Sequence, residues 1–292
     1  MQIDAALFAA LAAAFSYACA DMAARAGLQR TNAFVGSTIA LASSLFFLSL
    51  VILIQRTPFP APGTHYLWVV AGGACNPGMF FIFFLIGISK IGVSRAAPIK
   101  GTSPLLGALL AILILSERPS WVHLVGVLFV VCGIAVITSG GTGERFQRRD
   151  ILWPIAAAVA SSFAAVFWRA GLPAFPDPIA ASTVGVLTAL VVVAAYTAFA
   201  AWGEISEGVR RAWKPFLLCG LVAACGYFFY AKALQLGEVY RMLPLIQTSP
   251  LITVVFSIIW IRKTEDITWR VPVGAVLSVG GAILVNLRWG GV

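Results

Sequence analysis

Apolar tracts separated by short polar links run the length of this 292-residue chain. About 20 apolar residues cross a bilayer as a helix. On that ruler the pattern predicts ten spans, at 4–24, 33–55, 66–89, 93–116, 120–140, 151–172, 178–202, 214–236, 239–261 and 268–288. The links carry turn chemistry: RTPFPAPGTH precedes the third span, SGGTGERFQRRD separates the fifth from the sixth, and LPAFPDP precedes the seventh. Trp68, Trp121, Trp153, Trp202, Trp213, Trp260, Trp269 and Trp289 fall near predicted span ends, where amphipathic rings favour the headgroup level.

The pattern repeats. SRAAPIKGTSPLL (94–106) returns as YRMLPLIQTSPLI (240–252), placing Arg95 on Arg241, Pro98 on Pro244 and Thr102-Ser103-Pro104-Leu105 on Thr248-Ser249-Pro250-Leu251. ALAAAFSYACADMAARAGL (10–28) likewise lies on PIAAAVASSFAAVFWRAGL (154–172), and Gly126 and Gly133 meet Gly274 and Gly281. The shift drifts from 144 through 146 to 148 along the chain, as one duplication with small insertions would give. Five spans per copy is an odd number, so the second copy enters the membrane upside down. Inverted repeats of this kind hold a solute near the midplane between the copies. The expected fold is therefore an all-α polytopic membrane protein, with ten transmembrane helices as two inverted repeats around a central cavity. The repeats are expected over 1–142 and 143–292, divided at a glycine-rich and then charged linker.

Two five-helix repeats, an Arg-x-x-Pro stretch in the fourth helix, and Ser-Glu-Arg-Pro (116–119) before a Trp-initiated, glycine-bearing fifth helix carry a family likeness. The chain resembles the ten-span drug/metabolite transporter superfamily, EamA type, and within it is most similar to bacterial aromatic amino-acid exporters. One departure is visible. Lys263 occupies the gap-free equivalent of Glu117, and Glu265 matches only after a two-residue insertion. The resemblance implies a multi-pass protein of the bacterial inner membrane that exports amino acids or similar small amphipathic metabolites by alternating access. A multidrug or organic-cation exporter is the alternative, followed by a channel or scaffold. The implied partners are a small-molecule substrate and lipid, with no cofactor, and a monomer is compatible with the ten-span unit.

Composition narrows the field. Apolar residues make up 60% and charged residues 11% of the chain, against about 25% charged in soluble domains, so lipid must solvate most of the surface. The net charge of +9 resides largely in the links, where it opposes anionic headgroups; no nucleic-acid partner is expected. The opening MQIDAAL lacks the positive region of a secretory signal, so the first helix is expected to remain. Cys19, Cys75, Cys132, Cys219 and Cys225 lie in apolar tracts at spacings that suit neither zinc nor disulfides. His65 and His123 fit no metal-ligand spacing, and GGTGER lacks the Lys-Ser/Thr of a phosphate loop. Neither an enzyme nor an ATP-driven pump is expected.

Polar groups inside spans are costly and tend to face the bundle interior. The first helix offers Ser16, and a stripe of Tyr17, Asp21 and Arg25 spaced four apart. Asp21 has two readings, an ion pair with Arg25 or a proton or amine site. In the third helix, Asn76, Phe80 and Phe84 share a face beside the breakers Pro77 and Gly78, and the eighth helix supplies Tyr227 and Tyr230. These aromatics either line a cavity or pack as core. Pro98, Pro104, Pro244 and Pro250 each delete a helical hydrogen bond, predicting kinks at equivalent points of the fourth and ninth helices. Nearby Thr102, Ser103, Thr248, Ser249 and Gln247 are candidates to touch substrate, as are Ser162 and Trp168 of the sixth helix; Trp168 reads equally as a headgroup-belt residue. Lys100 faces Ile246 in the alignment, and either holds a carboxylate or snorkels to the interface. Gly126, Gly133, Gly274, Gly280 and Gly281 are expected at close helix contacts.

Lys and Arg divide fourteen to six in favour of the links that follow odd-numbered spans. The positive-inside rule then places those links in the cytoplasm and both termini outside. A reporter fused to the C-terminus should be active only if it folds outside the cytoplasm; activity confined to the cytoplasm would reverse this orientation.

Overall fold

A computed structural model of the chain describes residues 2–91, 96, 99–138, 147–260 and 270–286. Helices occupy all ten predicted regions. They are α1 (Gln2–Leu28), α2 (Ala33–Gln55), α3 (Thr64–Gly73), α4 (Phe80–Ile91), α5 (Ser103–Leu115), α6 (Trp121–Thr138), α7 (Leu152–Gly171), α8 (Pro178–Ala201), α9 (Ile205–Leu236), α10 (Val239–Ile246), α11 (Ser249–Trp260) and α12 (Arg270–Asn286). The third span is α3 and α4, joined by a wide π-type turn at Ala74–Met79, and the ninth is α10 and α11. Ala5–Leu28, Ala33–Gln55, Thr64–Ile91, Arg148–Ala174 and Pro178–Leu236 are long and apolar enough to cross a membrane. The last is two helices, separated where Ala201 leaves helical geometry (φ −144°) ahead of a 3-10 turn at Trp202–Glu204.

Asn32 and Asp177 start α2 and its equivalent α8 by the same device. Each side chain accepts a backbone N–H of the first turn, from Val35 and Ile179 respectively, satisfying a donor that helix geometry leaves unpaired. The eighth span departs from expectation by starting at Ile205 rather than 214. Its charged opening, ISEGVRRAWK, reads as a link but forms helix, with Glu207 and Arg211 pairing one turn apart. Pro215 lies inside α9 without ending it.

The contacts between spans obey the symmetry of a duplicated, inverted chain. The first span packs on the eighth and the sixth on the third; the second packs on the eighth and the seventh on the third. The second meets the seventh, the fourth the ninth and the fifth the tenth, each pairing an element with its own equivalent.

Packing is small inside and large outside. Ala6, Ala9, Ala10, Ala13, Ala14 and Ala18 of α1 are buried, whereas Phe8, Leu53, Trp121, Phe199 and Val276 are exposed. Lipid tails are as apolar as leucine, so helices gain by close backbone approach rather than by hiding large side chains. The fifth and tenth spans show it most directly. A Cβ on Gly126 would lie 2.8 Å from the Val285 nitrogen, and one on Gly281 would lie 2.6 Å from the Gly126 oxygen. Gly280 corrects the sequence reading: it was expected at a close contact, but a Cβ there would meet nothing within 4 Å, because it falls on the other face of α12.

This contrast is testable. Gly126→Leu should lower the melting temperature in detergent, by an amount corresponding to about 1–3 kcal/mol of overpacking, while Gly280→Ala should leave it unchanged. Equal effects would refute the assigned packing face.

Candidate functional site

Proline fixes where the fourth and ninth spans break. A proline ring clashes with the carbonyl four residues back and donates no hydrogen bond. Pro104 and Pro250 therefore stand in the first turns of α5 and α11, after the turns at Gly101–Thr102 and Gln247–Thr248. The hydrogen bonds repeat across the halves. Thr102 Oγ1 donates to Ile99 O (2.7 Å) and Thr248 Oγ1 to Leu245 O (2.6 Å). Leu105 N and Leu251 N then bond the carbonyls of Thr102 and Thr248 at 3.0 and 2.9 Å. Pro244 lies inside α10, and Pro98 is outside the described residues.

The third span breaks differently. Asn76 has extended geometry (φ −146°, ψ 120°) before Pro77, and the Asn76–Pro77 peptide is cis. Asn76 Nδ2 donates to Ser161 Oγ at 3.1 Å. Its equivalent region in α9 is continuous helix, so this feature is not shared by the halves.

Between these breaks lies a cavity of about 220 Å³. Eleven of the candidates from the sequence line it: Tyr17, Asp21, Asn76, Pro77, Phe80, Lys100, Trp168, Tyr227, Tyr230, Gln247 and Ser249. Thr253 Oγ1 reaches Asp21 at 3.5 Å. The Lys100 ammonium stands over the rings of Phe80 and Phe84, 5.3 and 5.6 Å from their centroids. It does not snorkel to the headgroups. Tyr17 and Tyr227 meet edge to face at 5.8 Å. Gln247 Nε2 donates to Ser103 Oγ at 2.8 Å, tying the broken ninth span to the fourth.

The other candidates do not line the cavity. Ser16 bonds the carbonyl of Ala12, and Ser162 Oγ lies 2.7 and 2.9 Å from the carbonyls of Ala158 and Ser103. With Thr102 and Thr248, these hydroxyls serve backbone carbonyls, a common fate of Ser and Thr in helices. Phe84 backs the wall instead, stacked on Phe80 at 5.6 Å and 16°. Trp168 is 2% exposed, which rules out the headgroup belt. Its ring is wedged beside Gly72 and Gly185, and its Nε1 has no hydrogen-bond partner, nor does the buried Tyr230 hydroxyl.

Phe216 mirrors this wedge. Its ring lies against Gly27 and Gly36, where a Cβ would collide with it. Trp168 joins the sixth, third and seventh spans; Phe216 joins their equivalents, the first, eighth and second. Sequence reading missed Phe216, along with Cys219, Ser161 and Ser37, which also line the cavity. A signal existed: Phe216, Cys219, Ala223, Tyr227 and Tyr230 recur every three or four residues, marking one face of α9.

Toward the termini, the half-buried Glu117 joins the halves. Its carboxylate accepts the backbone N–H groups of Val239 (2.9 Å) and Tyr240 (3.3 Å) at the start of α10, where unpaired donors and the helix dipole favour an anion. Burial holds its carboxyl above the ordinary range, against the pull of these two bonds.

The EamA-like transporter family matches residues 4–139 and again 148–287. This chain belongs to that family. It is a multi-pass membrane transporter, as the sequence likeness led one to expect. An uncharacterized transporter in the cobO 3′ region of Sinorhizobium sp. is 26% identical over 134 residues, which are 46% of this chain and 93% of that relative. The transporter is thus about twice the length of that relative. A solved crystal structure is similar over 97% of this chain and 98% of its own, with a TM-score of 0.79 and 16% identity, a likeness of fold alone.

Glu117→Ala should leave the Val239 and Tyr240 N–H groups unpaired and destabilise the transporter by about 1–2 kcal/mol, read as a lower melting temperature in detergent. Glu117→Gln, which keeps an acceptor, should lose less. Equal losses would show that the contact is not a helix cap.

Proposed function

We propose that this chain is a secondary transporter of the bacterial inner membrane that exports amino acids, aromatic ones included, or similar small amphipathic metabolites. One observation carries the reading: a carboxylate (Asp21) and an ammonium (Lys100) line the same aromatic-walled cavity between two inverted repeats. A zwitterion matches both charges, and the rings of Tyr17, Tyr227 and Phe80 offer apolar area with hydroxyl handles. The Gln247 and Asn76 amides add polar contacts at the helix breaks.

Alternating access follows from the symmetry in this reading. The Trp168 and Phe216 wedges act as seals toward opposite faces, and withdrawing one ring from its glycines while the other stays seated opens the cavity to one side. Nucleotide hydrolysis has no part in it; gradients or exchange drive the cycle. An organic-cation exporter is the second reading, favoured by Asp21 and by the stacked Phe80–Phe84 pair.

The test is counterflow in vesicles reconstituted with the pure chain. Amino-acid exchange should be saturable, and Asp21→Asn should lower it about tenfold or more, as expected for loss of a charged hydrogen bond. Absence of flux across a broad amino-acid panel would remove the substrate assignment, and unchanged exchange in Asp21→Asn would remove that residue's role.

A further inference from the structure

The position of Lys100 carries more than a role in substrate contact. Ring faces attract cations that approach within about 6 Å of the centroid, and Phe80, which lines the cavity with Phe84 stacked on it, would offer an organic cation such a place. That place is already taken, because the Lys100 ammonium lies 5.3 and 5.6 Å from the two centroids. At the aligned position of the second half stand Ile246 and, beside it, Gln247, both lining the cavity and neither charged. Among the described residues that line the cavity, Lys100 is the one cation, and it is held against ring faces.

We propose that Lys100 is the charge filter of this transporter: a tethered ammonium that competes with organic cations for Phe80 and Phe84 and admits solutes that carry a carboxylate. A lone amine entering the cavity finds the ring faces occupied and meets a like charge. A zwitterion brings its own carboxylate to Lys100, and its ammonium goes to Asp21. Selectivity then comes from a repulsive element as much as from an attractive one. The inference rests on the reading of this cavity as the substrate site, and it explains how a pocket with an acid and stacked aromatics avoids becoming a general cation exporter.

The experiment uses matched pairs that differ only in the carboxylate, tyrosine with tyramine and phenylalanine with phenethylamine, in counterflow through vesicles containing the full chain. The wild-type protein should favour the amino acid of each pair. Lys100→Gln and Lys100→Met should each shift that preference toward the amine by about tenfold, with a gain of amine flux and not merely a loss of amino-acid flux. Lys100→Arg should keep the wild-type order. Quenching of tryptophan fluorescence by tyramine in detergent, on variants that retain the wild-type melting temperature, gives a second readout that does not need turnover.

Wild-type protein that takes the amine as readily as the amino acid overturns the filter. So does a preference that survives in both neutral variants. If the neutral variants gain amine flux while no form moves amino acids, the filter stands and the amino-acid assignment falls. If no probe moves through or binds to any form, both fall.

Discussion

Hydrocarbon offers no water to a backbone group that has lost its helical partner, and the architecture answers to that constraint. The breaks of the fourth and ninth spans have local replacements. Thr102 and Thr248 hydroxyls take up the carbonyls of Ile99 and Leu245, Ser162 reaches the Ser103 carbonyl, and Glu117 receives the N–H groups that open α10. Because these replacements come from fixed neighbours, the breaks become fixed points. The cavity occupies the space where the broken spans come together.

A second consequence of living in lipid is that small residues do the joining. Glycine contacts hold α6 to α12, and alanines form the buried face of α1. The same economy makes room for Trp168 and Phe216, each seated in volume that a pair of glycines leaves vacant. Such contacts rest on shape alone, with no polar group relying on them for a partner.

Much of the fold was legible because its signals are local and repeated. Apolar length marked the spans, and the Thr-Ser-Pro motif located both equivalent breaks. The site was legible only in part. A helical stripe put Tyr17 and Asp21 together, but Ser162 was chosen where its neighbour Ser161 faces the cavity, since one residue turns a helix by about 100°. Hydroxyls read as substrate contacts at Ser16, Thr102 and Thr248 bond to their own helices instead. The extended opening of α9 was hidden by its charges, because hydropathy marks where lipid begins and not where helix begins. Pro98, Arg95 and the whole link between the ninth and tenth spans, with Lys263 and Glu265, lie outside the described residues.

Joining two copies in one chain also frees paired positions from identity. A five-helix protein that paired with a second copy of itself would present every cavity residue twice, and two facing ammoniums would cancel any directional field. Here the position aligned with Lys100 is Ile246, with Gln247 beside it, and all three line the cavity. The lining is thus electrically lopsided between the halves, a polarity that no symmetric pair of identical chains could carry.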